Sequence, residues 1–398
     1  MTSLRIEPVA RGRVLDGVAA SVLDRALAAL QGGMLEVVLP DGTARRFGTG
    51  VPVRLEIRDR AFFRRLATRG KVGLGESYTA GEWESNDLVA LFELLLRNAS
   101  TAGARHSGVR RLLELRPRLN RRNGFLRSRR NIAYHYDIGN DLFGLMLDET
   151  MTYSCAVFER SDMSLAEAQR AKYDRLCRRL ELGPDDHVLE IGCGWGGFAH
   201  YAATTYGCRV TGLTISHEQA VVARERTSEL PVEIREQDYR VVDGSFTKVV
   251  SIEMLEAIGE DQFGTYFATI DRVLEPGGLA AVQTILVPEQ RWDRYRRTPD
   301  WIERYIFPGC LIPSLEALTH AASKNSQLAI YGVDEIGEHY AETLRRWRAN
   351  FHAKVGEIRE LGYDERFERT WDFYLAFCEA GFRTRALRDV QLLLARAE

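Results

Sequence analysis

The sequence predicts an α/β protein: a doubly wound, mainly parallel sheet from about residue 161 onward, preceded by a small α+β domain. Three observations carry this. Strand-like and helix-like segments alternate between residues 161 and 287, a glycine-rich turn follows the first of those strands, and the first 130 residues differ from the rest in charge and rhythm. Alternation at this spacing is the pattern of a parallel sheet crossed over by helices.

In order, residues 22–30 have helical spacing, 34–39 read as a strand, Pro40-Asp41-Gly42 marks a turn, 51–57 alternate as a second strand, and 87–98 form an amphipathic helix. Ser164 and Glu167 form a capping-box signature that opens a helix ended by Gly183-Pro184. Strands are expected at 188–191, 209–213, 232–236, 248–252 and 279–287, with helices at 198–206, 217–229 and 261–274 between them. Pro276-Gly277-Gly278 reads as a turn before the last strand. In such sheets the ligand sits beyond the carboxyl ends of the strands.

The 398 residues suffice for two or three domains, and 45% apolar with 28% charged residues is ordinary for a globular chain. The formal net charge of −2 conceals a split: residues 1–130 carry +11 and the remainder −13. Arg105 to Arg130 alone holds ten arginines and one acid, Glu114. A run like this is either a solvated linker or a foothold on anionic lipid. No apolar run approaches the ~20 residues that span a bilayer, and Met1 to Arg13 lacks a signal-peptide core, so a cytoplasmic protein is expected. Six scattered cysteines, with no C-x-x-C pair, and unclustered histidines indicate neither disulfides nor a metal site. Nucleic acid is not an expected partner. The domains are expected at 1–104, a basic connector at 105–130, and a catalytic domain at 131–398.

The turn reads Glu190-Ile-Gly192-Cys-Gly194-Trp-Gly196-Gly197. As Gly192-x-Gly194-x-x-Gly197 it matches a dinucleotide fingerprint, but no acid stands at the end of the second strand to hold a nicotinamide ribose. The acid-x-Gly-x-Gly reading, with Glu190 ahead of the glycines, is that of S-adenosylmethionine-dependent methyltransferases, and methyl transfer is favoured over hydride transfer.

Further motifs form an ordered set: 131–141 with Tyr134 and Tyr136, 147–156 with Tyr153, Ser154 and Cys155, 211–219 with Thr214 and Gln219, 237–240 with Asp238 and Tyr239, 251–259 with Glu256, and 301–309 with Tyr305 and Phe307. Over about residues 70–385 this set closely resembles the cyclopropane fatty acid synthase family. Gly73-Leu-Gly75-Glu76-Ser77-Tyr78 with Trp83 resembles its bacterial phospholipid-acting branch.

The resemblance implies a Rossmann-like class I methyltransferase sheet with added helices over an acyl tunnel. It implies transfer of a one-carbon unit from S-adenosylmethionine to a cis double bond of a phospholipid acyl chain, through a carbocation. Cation-facing aromatics and one base are then required. Tyr134, Tyr136, Tyr153, Tyr305 and Phe307 are candidates for the lining. Gly192, Gly194 and Gly196 would pass under the methionine part, with Tyr153 and Ser154 closing over it. Thr214 and Gln219 would meet the ribose, Asp238 and Tyr239 the adenine. The base would be a bound bicarbonate held by Cys155, Glu256, the backbone near Ile285 and Tyr340. A carboxylate beside that anion should have a raised pKa. Where the family has a histidine ligand this chain has Gln283, which leaves bicarbonate, and the choice between cyclopropane and methylene-branched product, open with a lean to the branch. A homodimer at the inner membrane surface is the implied assembly. Competing readings are a small-molecule methyltransferase and a non-catalytic lipid-binding protein.

Overall fold

A computed structural model gives the fold. It describes residues 30–99, 139–298 and 300–398, together with 23, 24, 27 and 28. The described residues fall into two compact units. The first holds those up to Ala99 with Arg297–Ile306 and Val355–Ala386; the second holds Gly139 to Arg296, Phe307–Lys354 and Leu387–Glu398.

The first unit is built on four strands, β1 (Met34–Val38), β2 (Ala44–Gly48), β3 (Pro52–Ile57) and β4 (Trp83–Ser85), in the order β2-β1-β3-β4. The expected turn closes the β1–β2 hairpin: Gly42 takes φ 84°, and Asp41 Oδ1 accepts the Thr43 N–H at 2.9 Å. Leu35 and Val37 of β1 point inward with Leu55 and Ile57 of β3, the period-2 burial that the sequence pattern requires. The helix Ala61–Thr79, which sequence reading did not identify, breaks at Gly70 (φ 53°, ψ −131°), so its apolar periodicity is interrupted. The helices Leu88–Ala99 and Glu365–Arg383 pack through Phe92 and Phe373, with ring centroids 4.9 Å apart, and the Trp301 ring lies 4.6 Å from Phe373, tilted by 54°.

The expected catalytic domain runs unbroken over 131–398, whereas two of its segments, 297–306 and 355–386, are built into the first unit. The physical reason is local. A Cβ on Gly75 would collide with the Trp301 indole, so the glycine opens the slot that this tryptophan fills. The boundaries near 104 and 130 lie outside the described residues.

The second unit is a seven-stranded sheet of β5 (His187–Ile191), β6 (Arg209–Thr214), β7 (Val232–Glu236), β8 (Phe246–Ile252), β9 (Leu274–Leu286), β10 (Leu328–Glu335) and β11 (Arg388–Arg396), ordered β10-β11-β9-β8-β5-β6-β7. β5 to β9 run parallel to one another; β11 is antiparallel to β9 and β10 to β11. The expected turn at 276–278 is taken up inside β9 instead: Phe246 pairs Leu274 and Lys248 pairs Leu279, a bulge that absorbs the glycines. The capping box forms, with Ser164 N–H donating to Glu167 Oε2 at 2.6 Å and Glu167 N–H to Ser164 Oγ at 3.2 Å. Chain order reverses at β5, flanked by β6 and β8, which puts the crevice at the carboxyl ends of β5 and β8. No helix among the described residues is long and apolar enough to cross a membrane.

Candidate active site

At the end of β5, Gly192, Gly194 and Gly196 take φ of 85°, 51° and 80°, left-handed values that only glycine adopts at little cost. A Cβ on Gly192 would press on the Met254 side chain at 2.8 Å, whereas one on Gly194 would meet nothing within 4 Å among the described residues. The open face of Gly194 is a cradle for a ligand backbone. Glu190 is buried behind it; burial pushes its carboxyl up to about 8, and its Oε2 has no hydrogen-bond partner among the described residues. Thr214 donates to Gln219 Oε1 at 2.9 Å at the end of β6, fixing the pair implied for the ribose. Asp238 caps a 3-10 turn by accepting the Arg240 N–H at 2.9 Å, and the Arg240 guanidinium also binds it. Tyr239 is turned into the core, its ring 5.7 Å from Tyr266, so its side chain serves packing. Ser154 Oγ accepts from the buried Lys172 ammonium at 2.7 Å, and burial pushes that lysine down to about 8.

At the end of β8, a second group forms around Glu253, which the sequence reading passed over. Glu253 has φ 50°, and its N–H donates to the Gln283 carbonyl of β9 at 2.9 Å. Its Oε1 accepts from the Cys155 N–H and from Gln283 Nε2, both at 2.8 Å, and its Oε2 from the Tyr340 hydroxyl at 2.6 Å. Glu256, three residues on, accepts the Ile285 N–H and the Thr284 hydroxyl (2.9 Å) on Oε1, while Oε2 is buried with no partner among the described residues. Burial, then the neighbouring Glu253, pushes Glu256 up to about 8.

Cys155, Gln283 and Tyr340, three of the groups implied for bicarbonate, therefore converge on Glu253, while Glu256 and Ile285 bind each other. Cys155 contributes its N–H. Its thiol is pushed well up by burial and by Asp389 and Glu253, so it stays neutral. The donors fit a carboxylate the chain itself supplies; they do not fit an added anion, which would meet Glu253 and Glu256 with its own donors already taken.

Above Glu253 stands an aromatic group. Tyr153 lies 5.0 Å from Phe143, 5.0 Å from Trp347 and 6.4 Å from Phe307, and Trp347 lies 6.1 Å from Tyr340. Tyr153 and Phe307, both expected to line the acyl tunnel, are thus brought together. Tyr305 belongs to the first unit, where its hydroxyl donates to buried Glu76 at 2.6 Å. Tyr134, Tyr136 and Arg105 to Arg130 lie outside the described residues. No cluster of metal-ligating side chains occurs among the described residues.

A sheet in this order, with a glycine cradle and a buried acid at its switch point, defines an S-adenosylmethionine-dependent methyltransferase of class I. The sequence profile of the mycolic acid cyclopropane synthetase family matches residues 125–392, and the chain belongs to that family. It is 41% identical over 386 residues to the tuberculostearic acid methyltransferase of Mycobacterium tuberculosis (91% of this chain, 88% of that protein). It is 38% identical over 345 residues to the cyclopropane-fatty-acyl-phospholipid synthase of Escherichia coli strain K12 (87% and 88%). Among solved structures, a mycolic acid cyclopropane synthase complexed with SAH and CTAB superposes with TM-score 0.63 at 32% identity, covering 67% of this chain and 98% of that one. Gly192, Gly194, Gly196 and Glu190 are the groups that fit S-adenosylmethionine.

Proposed function

We propose that this enzyme transfers the methyl group of S-adenosylmethionine to the cis double bond of an acyl chain in membrane phospholipid, with Glu253 as the base that ends the reaction. The observation that carries this is the convergence of the Cys155 N–H, the Gln283 amide and the Tyr340 hydroxyl on one carboxylate. In the family resemblance those donors hold bicarbonate; here they hold Glu253, and bicarbonate has no role in this reading.

The chain's own groups supply each requirement. The glycine cradle and Glu190 hold the methyl donor. Tyr153, Trp347 and Phe307 exclude water and offer π faces to the positive charge left on the acyl carbon when the alkene pair bonds to the methyl carbon and the sulfonium C–S pair returns to sulfur. Glu253 then takes one proton from the transferred methyl, and the released C–H pair forms either an exocyclic C=C bond or a ring-closing C–C bond. Gln283 in place of a histidine favours the methylene branch. The arginine-rich segment Arg105 to Arg130 is proposed to land the enzyme on anionic bilayers, and a homodimer is proposed as the assembly.

Incubation with S-adenosylmethionine and oleoyl phospholipid vesicles, without bicarbonate, tests this: mass spectrometry should show a gain of one CH2 on the acyl chain. Proton NMR of the product separates vinylic from cyclopropane hydrogens. No mass gain would refute the reading and favour a small-molecule methyltransferase.

A further inference from the structure

Strand β11, unread in the sequence, brings a third carboxyl to the site. Asp389 is fully buried and pairs with Ile285 across the sheet, and Gln391, on the same face two residues on, pairs with Gln283. Gln391 Nε2 donates to Gln283 Oε1 at 3.0 Å, and Arg175 Nε donates to Gln391 Oε1 at 3.0 Å. This fixes the flip of the Gln283 amide, so its Nε2 faces the acids: 2.8 Å to Glu253 Oε1 and 3.4 Å to Asp389 Oδ2. One amide nitrogen thus reaches both carboxyls. Asp389 Oδ1 has no partner among the described residues.

A fully buried Asp389 carboxyl that shares one amide donor with the Glu253 carboxylate is favoured in its protonated form. Three other donors serve Glu253, so the shared proton belongs on Asp389. We propose that Glu253 and Asp389 form one carboxyl pair holding a single proton, with Asp389 the protonated member that donates to Glu253 and keeps it oriented as the base. Asp389 is a positioning residue. When Glu253 takes the methyl proton the pair holds two, and one must leave to solvent before the next turnover.

The groups that face Asp389 are consistent with this. Burial, then the Glu253 and Glu256 carboxyls, raises its pKa well above the usual carboxylate range, and Lys172 opposes them. The Cys155 thiol also faces it, and is itself raised.

The inference rests on the proposed role of Glu253, and the test separates the two. In Asp389→Asn the amide N–H replaces the acid O–H, so kcat should stay within about threefold of the parent; Asp389→Ala should lose about tenfold or more in kcat with little change in KM for S-adenosylmethionine. Infrared difference spectra between the parent and Asp389→Asn, taken at neutral pH without substrate, should contain a protonated-carboxyl C=O band. Asn as inactive as Ala, Ala near normal, or an ionised-carboxylate signal in the difference spectrum would overturn the pair. Absence of any lipid product from the parent would refute the functional reading instead, while the infrared result would still decide the pairing.

Discussion

The Tyr340 hydroxyl donates to Glu253 Oε2 at 2.6 Å, joining the helix Gly337–Ala353 to the carboxyl end of β8. The phenol is buried, and its ring lies against Trp347. Tyr340→Phe keeps the ring and removes only the donor. Loss of a hydrogen bond to a charged group costs about 1.5–3 kcal/mol, so kcat should fall about ten- to a hundredfold. KM for S-adenosylmethionine should hold, because the Tyr340 hydroxyl is committed to Glu253. Steady-state kinetics with labelled methyl donor checks both numbers.

Glu256 gives a pH-dependent signature. Its folded-state pKa of about 8 lies above the ordinary carboxylate value, so the folded protein retains a proton that the unfolded chain releases. Its stabilising contribution is full below the unfolded value near 4.5 and is lost as pH rises toward 8. Glu256→Gln cannot lose that proton, so its Tm should fall less than the parent's between about pH 5.5 and 8.5. The same variant should turn over poorly with nearly intact cofactor affinity. Thermal melts across pH, with binding titrations, test this, and identical Tm slopes would count against the raised pKa.

Gly194→Ala separates ligand space from protein packing. Its Cβ would meet no atom of the described residues within 4 Å, although φ 51° imposes strain of about 1 kcal/mol on an L-residue. Tm should drop by only a few degrees while the Kd for S-adenosylmethionine rises at least about tenfold. Calorimetric binding checks it, and unchanged affinity would take the cofactor away from this face.

Gly75→Ala probes the first unit. The added methyl meets the Trp301 indole, and overpacking of this kind costs about 1–3 kcal/mol. Denaturant unfolding should show that loss. A neutral result would mean that Trp301 does not fill the slot.

Much of the catalytic sheet is legible locally. β5, β6 and β8 are short, mostly apolar stretches and β7 alternates Val232 and Ile234 with charged residues, the glycines announce the cradle, and the Ser164–Glu167 box is written in four residues. The strands β10 and β11 are not, because an apolar run such as Leu392 to Leu394 reads equally as helix or strand once the alternating rhythm has ended. The raised pKa of Glu256 is expected from a neighbouring bicarbonate, whereas burial and Glu253 raise it, and spacing could not say that Glu253 in the same motif would collect the donors. The signal was present as a second glutamate three residues earlier; its left-handed backbone and its partners from 98 residues before and 30 after exist only in the fold. Tyr305 reads as lining for an acyl tunnel because it is an aromatic within a family motif that also holds Trp301. The Gly75 slot and the Glu76 carboxylate that receive them lie more than 200 residues earlier in the chain.

The most direct measurement is the bicarbonate response of the parent and of Glu253→Gly, a substitution that the left-handed φ of 50° accommodates without strain. Turnover of oleoyl phospholipid by the parent should be the same in bicarbonate-depleted and bicarbonate-supplemented buffer. Glu253→Gly should be inactive without added anion and partly restored by millimolar bicarbonate or formate, which can occupy the vacated donors of Cys155, Gln283 and Tyr340. A parent enzyme stimulated by bicarbonate, together with a Glu253→Gly variant that retains activity in depleted buffer, would contradict Glu253 as the base.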